Sequence, residues 1–141
     1  MEAKVVLKDG MAFEVHLDGF NFMIDADEKV GGQNKGPKPK GLTLASLAGC
    51  TGMDVISILR KMRVPVDSFA VTTQAKLANE HPKKFEEILL TYYFTGIDLS
   101  LDKIKTAINL SMDTYCGVSA TLRPAVKFSY KINVNGRDIE E

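Results

Sequence analysis

Between Leu42 and Leu59 the chain is almost continuously apolar, broken only by two glycines, four Ser or Thr hydroxyls, Cys50 and Asp54. A run this long approaches the length that spans a bilayer, but a carboxylate and several hydroxyls in it argue for burial in protein rather than lipid. The Gly- and Pro-rich segment GGQNKGPKPKG precedes it, with Pro39 suited to a first helical turn, and Val64-Pro65 closes it. The spacing predicts a helix from about Pro39 to Met62. Its polar residues Thr43, Ser46, Cys50, Asp54, Ser57 and Lys61 recur every three or four positions and form one stripe. Most of the remaining circumference is apolar, as expected of a central helix enclosed on most sides. Gly49 and Gly52 flank Cys50, and each glycine weakens a helix by about 1 kcal/mol relative to alanine, so a close approach is expected there.

A chain of 141 residues fits a single domain, 1–141, and at that size folding buries roughly 68–70% of the unfolded surface. Such a core needs neither a disulfide nor a structural metal. Formal net charge is zero, with 18 basic and 18 acidic residues interspersed, which leaves no electrostatic footprint for nucleic acid or an anionic membrane. The first residues, MEAKVVLKDGMAFEV, have no apolar core followed by a cleavage site. The expected compartment is the reducing cytoplasm, where a cysteine pair is more often catalytic or redox-active than structural. The two cysteines stand 66 positions apart without a CxxC, and His16 and His81 lack metal-ligand spacing. No bound metal or cofactor is expected from these spacings.

The rest of the chain supplies the partners of the helix. Alternation at Val5, Leu7, Phe13, Val15, Leu17, Phe20, Phe22 and Ile24, punctuated by Asp9-Gly10 and Asp18-Gly19, predicts three short antiparallel strands. Val66 to Leu77 and Phe85 to Gly96 read as two more. Leu101 to Tyr115 reads as a helix with Ser100 as its N-cap, ended by Cys116-Gly117, and Ala125 to Val134 as a closing strand. The fold class is therefore α+β, in the order three strands, long helix, two strands, helix, strand.

Four segments now combine: LAGCTGMDV around Cys50, TYCGVSATL around Cys116, the GGQNKGPKP loop and the EHPKKFEEI turn. Together they resemble the OsmC/Ohr family of hydroperoxide-resistance proteins over nearly the whole chain. The resemblance implies an OsmC-like fold in an intertwined homodimer with sites at the subunit interface. It implies reduction of small organic hydroperoxides by Cys50 as attacking thiol and Cys116 as resolving thiol, with an external dithiol, lipoyl-type reductant. The family's enzymes place an activating arginine before the helix and a glutamate near its start. This chain has no arginine in that segment and Lys40 where the glutamate would fall. Lys35, Lys38 and Lys40 are the cations at hand, and Asp54, one turn beyond Cys50, would raise the thiol pKa if it faces the same pocket.

Other readings of the same residues stay open. A lone helical cysteine often behaves as a small core hydrophobe, and two cysteines can form a structural disulfide worth about 4 kcal/mol in the chain-entropy picture. A non-peroxidase protein of this fold, binding a small apolar ligand or sensing redox state, is the alternative function.

Overall fold

The computed structural model describes residues 1–140. They form two compact units, Met1–Thr43 and Leu44 onward. The arrangement is the expected α+β, with a 3-10 turn over Glu28–Val30, a further short helix and a further short strand beyond the expected order.

The first unit is a three-stranded antiparallel sheet, β1 (Ala3–Asp9), β2 (Ala12–Leu17) and β3 (Phe20–Ile24). The turn between β2 and β3 holds Asp18 at φ 51° and Gly19 at φ 82°, the paired left-handed conformation whose twist matches a hairpin. The loop that follows packs more tightly than its composition suggests. A Cβ at Gly32 would lie 1.9 Å from the Ala26 carbonyl oxygen and one at Gly36 2.2 Å from that of Met23, so backbone fills the space a side chain would need. Asp25 anchors this loop, accepting the N–H groups of Ala26 at 2.8 Å, Gln33 at 2.9 Å and Lys35 at 3.1 Å.

The bonds from Gln33 and Lys35 hold the Asp25 carboxyl below its ordinary value of 3.8. A depressed carboxyl stabilises the fold above the unfolded value and loses that contribution as pH falls through the lower folded value. Hydrogen exchange should therefore show the Gln33 and Lys35 amides protected above pH 3.8 and losing protection only under more acid conditions. In Asp25→Ala that protection should be lost at all pH values, and protection unchanged in this variant would contradict the anchoring role.

The helix α1 spans Pro39–Lys61, and from Leu44 onward it belongs to the second unit. That unit also contains a four-stranded sheet of β4 (Ser68–Leu77), β5 (Phe85–Thr95), β6 (Lys127–Val134) and β7 (Arg137–Ile139), in that spatial order. β5 and β6 are parallel, which requires a crossover. It is supplied by α2 (Leu101–Leu110), a π-helical turn over Ser111–Tyr115 and α3 (Gly117–Leu122). Alternation on β5 turns Ile88, Leu90, Tyr92 and Phe94 into one core, where they cluster with Leu47, Val55 and Leu59 of α1 and Ile104, Ala107 and Ile108 of α2.

Two corrections to the sequence reading concern this unit. The helix expected over Leu101–Tyr115 gives way to the π turn at Ser111, and Cys116 does not simply end it but caps the additional helix α3, its sulfur accepting the Ser119 N–H at 3.3 Å. The chain also continues past Val134 into β7, through Asn135 at φ 51° and Gly136 at φ 81°. One chain by itself leaves much of α1 open. It buries the single line Leu47, Thr51, Val55 and Leu59, one residue per turn, while Met53 is 74% exposed.

Candidate dithiol site

Cys50 and Asp54 stand four residues apart on α1, so they share one face with Cβ atoms about 5–6 Å apart. Both are half-buried. The second cysteine arrives through the irregular end of α2. The inward line of that helix runs Ile104, Ala107, Ile108, Ser111 and Met112, and regular α-spacing would next bring Tyr115 inward. The π turn instead bonds the Cys116 N–H to the Ser111 carbonyl at 2.8 Å, a five-residue step that admits one extra residue per turn. Tyr115 is thereby left 60% exposed and Cys116 takes the inward position at 2%. The Cys50 Sγ, the Cys116 Sγ and an Asp54 carboxylate oxygen all lie within 4.8 Å of one another. Both cysteines are free thiols.

Beneath the thiols runs a buried line of hydroxyls. Tyr92 OH lies 2.8 Å from Thr51 Oγ1, Thr51 Oγ1 lies 2.9 Å from Ser111 Oγ, and Ser111 Oγ lies 3.0 Å from Asp54 Oδ2. Each hydroxyl carries one proton and a carboxylate only accepts. Ser111 Oγ is the donor in both of its contacts, to Thr51 Oγ1 and to Asp54 Oδ2, so its single proton serves one of them at a time, while between Tyr92 and Thr51 either hydroxyl donates. Burial pushes the Tyr92 phenol up to about 12, so it remains a donor at neutral pH. Asp54 is thus oriented from the core while its carboxylate stands beside the sulfurs.

Cys50 is not activated by these surroundings. Burial, and next the neighbouring Cys116 side chain, raise its thiol above the ordinary 9.0; Asp54 adds a smaller push upward, and a hydrogen bond from the Val118 N–H pulls down. A raised thiol favours the folded state while it is protonated, so this contribution is complete below the unfolded value and is lost as pH rises through the folded one. In metal-free, reduced protein, Asp54→Asn should speed Cys50 alkylation at neutral pH severalfold at most, because burial dominates. A pH profile identical to wild type would show that the carboxylate does not act on the sulfur.

A groove of about 450 Å³ borders this site, lined by Asp54, Ser57, Ile58, Lys61, Met62, Leu110 and Tyr115. The lysines noted in the sequence are occupied within the first unit. Lys35 pairs with Asp9 at 2.7 Å and Lys38 with Asp27 at 2.7 Å, while Lys40 lies in the first turn of α1.

The chain matches known proteins over most of its length. The family model described as OsmC-like protein matches residues 32–131. The chain belongs to the OsmC-like family. It is 30% identical over 135 residues to Protein YhfA of Escherichia coli K12, covering 95% of this chain and 98% of that protein. Among solved structures, a protein from Aquifex aeolicus VF5 superposes with a TM-score of 0.81 at 27% identity, covering 95% of this chain and 96% of the other. The organic hydroperoxide resistance protein OsmC of Legionella pneumophila superposes with a TM-score of 0.72, covering 94% and 96% of the two chains; at 19% identity this is a likeness of fold.

In this OsmC-like chain the two predicted thiols come together, and Asp54 faces them. The rest of the polar stripe divides: Ser46, Ser57 and Lys61 are exposed. The glycines beside Cys50 are not crowded within one chain, since a Cβ at Gly52 would meet Val71 at 3.5 Å and one at Gly49 would meet nothing within 4 Å. Sequence reasoning missed Thr51, Tyr92 and Ser111. The available signal was a hydroxyl on an otherwise apolar line, at Thr51 between Leu47 and Val55 and at Ser111 after Ile104 and Ile108.

Proposed function

We propose that this chain is a thiol-dependent reductase of organic hydroperoxides in which Cys50 and Cys116 form the redox pair. The observation that carries this reading is the proximity of the two free thiols, within 4.8 Å although 66 positions apart in sequence. Cys50 is the more exposed sulfur and attacks the O–O bond. The alcohol departs with a proton and Cys50 becomes a sulfenic acid; Cys116 then attacks that sulfur, water leaves, and a disulfide remains. An S–S bond needs about 2.05 Å, so the two side chains must close in during the second step. An external dithiol, of the lipoyl type, returns both sulfurs to thiols by exchange. Ile58, Met62, Leu110 and Tyr115 in the bordering groove suit an organic substituent better than hydrogen peroxide.

The active unit is proposed to be a two-fold homodimer in a reducing cytoplasm. Support comes from the uncovered side of α1, where Ala48, Gly49, Gly52, Met53 and Ile56 adjoin Phe69 and Val71 of β4. A partner seated there would account for glycines that one chain leaves uncrowded. Light scattering at micromolar concentration should give a dimer, and a monodisperse monomer would contradict the assembly.

A second reading, a redox-sensing or small-ligand-binding protein, is favoured by the raised Cys50 thiol beside Asp54. Rates separate the two. Under the proposal, reduced protein loses thiols faster to an organic hydroperoxide than to hydrogen peroxide, and faster still as pH rises. Thiols that persist with both oxidants would transfer the assignment to the second reading.

A further inference from the structure

The same three groups carry a second possibility that no spacing along the chain announces. Two thiols and a carboxylate converge within 4.8 Å, and the ion pairs among the described residues do not include Asp54. Three anion-forming groups thus converge without a countercharge in those pairs. In a tetrahedral zinc site, metal–sulfur bonds of about 2.3 Å place two sulfurs about 3.8 Å apart, with a carboxylate oxygen slightly nearer. The two sulfurs need to approach by about 1 Å at most, and each sulfur and the carboxylate oxygen by about 1.3 Å at most. Thiolate donors favour zinc-class ions over magnesium or calcium.

Each ligand atom is also held from behind. Ser111 Oγ lies 3.0 Å from Asp54 Oδ2, the Ser119 N–H is donated to the Cys116 sulfur at 3.3 Å, and the Val118 N–H to that of Cys50. Hydrogen bonds of this kind orient ligands in metal sites, and losing one typically costs 10–100-fold in affinity. The groove that includes Asp54 and Tyr115 supplies an entry path.

We propose that, in the reduced protein, Cys50, Asp54 and Cys116 bind one divalent cation of the zinc class, with a fourth coordination position open to the groove. The site does not depend on peroxide chemistry. A disulfide between the cysteines consumes both sulfur ligands, so oxidised protein cannot hold the ion. Binding also ties α1 to the segment between α2 and α3, and it should raise the melting temperature of the reduced protein as the metal concentration rises.

The test uses chelator-stripped, reduced protein titrated with Co²⁺, followed by displacement with Zn²⁺. One Co²⁺ per chain is expected, with a thiolate-to-cobalt charge-transfer absorption that Zn²⁺ abolishes. Cys50→Ser and Cys116→Ser should each weaken binding by more than about 100-fold, beyond the usual effect of altering a ligand's hydrogen-bond partner. Asp54→Asn should weaken it at least about tenfold while keeping the two-sulfur absorption, and Asp54→Glu should recover part of the loss. Helical circular dichroism matching wild type establishes that each variant is folded. A folded, reduced wild type without the charge-transfer absorption would overturn the site, as would the same absorption in oxidised protein. Wild-type affinity in Asp54→Asn would overturn the three-ligand assignment. None of these results depends on whether peroxide is consumed, so the reductase reading stands or falls separately.

Discussion

Cys50→Ser should abolish the loss of thiols to an organic hydroperoxide, whereas Cys116→Ser should still react once and then stop. The difference follows from position. Cys50 lies within α1 and is partly open, while Cys116 is 2% exposed behind the π turn. With Cys116 replaced, the sulfenic acid at Cys50 has no neighbouring thiol to condense with, so it persists long enough to be trapped by a dimedone-type reagent. Turnover with a dithiol through an internal disulfide should vanish in both variants. Neither substitution should unfold the chain, since serine is smaller than cysteine and the hydroxyls beneath are untouched. If Cys116→Ser lost the first oxidation and Cys50→Ser kept it, the roles of the two sulfurs would be exchanged.

Thr51→Val should be more damaging than Tyr92→Phe, although both remove one hydroxyl from the same line. Valine nearly matches threonine in shape, so the loss is polar rather than steric. It leaves the Tyr92 phenol, fully buried, without its acceptor at 2.8 Å, and an unsatisfied buried donor costs about 1–3 kcal/mol. Tyr92→Phe leaves Thr51 still accepting from Ser111, at about 1 kcal/mol. The double variant should be more stable than Thr51→Val alone, with a coupling of about 0.5–3 kcal/mol. Urea midpoints at constant slope read these values. Strict additivity would show that the hydroxyls are independent.

Much of this could be read before any coordinates. The apolar run bounded by Pro39 and Val64-Pro65 fixed α1 to within one residue of its observed end at Lys61, because apolar content and breakers agreed there. Ser100 was visible as a cap and accepts the Lys103 N–H at 3.4 Å. β7 was less visible, because three residues are too few to show alternation, although Asn135-Gly136 is a hairpin signal in its own right. α3 was hidden for another reason: its cap is a sulfur, outside the usual oxygen-bearing cap residues. The π turn has no local signature at all, since apolar spacing continues smoothly to Tyr115, and only tertiary packing decides that Cys116 turns inward instead. The thiol pair was legible through the family resemblance. The hydroxyls that orient Asp54 were not, because Thr51 and Ser111 occupy lines that periodicity assigns to the core.

Whether Cys50 and Cys116 act on each other is decided by peptide mapping with mass spectrometry. Reduced, metal-free protein is treated with one equivalent of an organic hydroperoxide, alkylated and digested without reductant. A linked pair of peptides carrying Cys50 and Cys116 is expected, lighter than their sum by two hydrogens, with both alkylated forms lost in equal measure. Separate peptides with both cysteines still alkylated, or a Cys50 oxidised irreversibly while Cys116 remains a thiol, would contradict it.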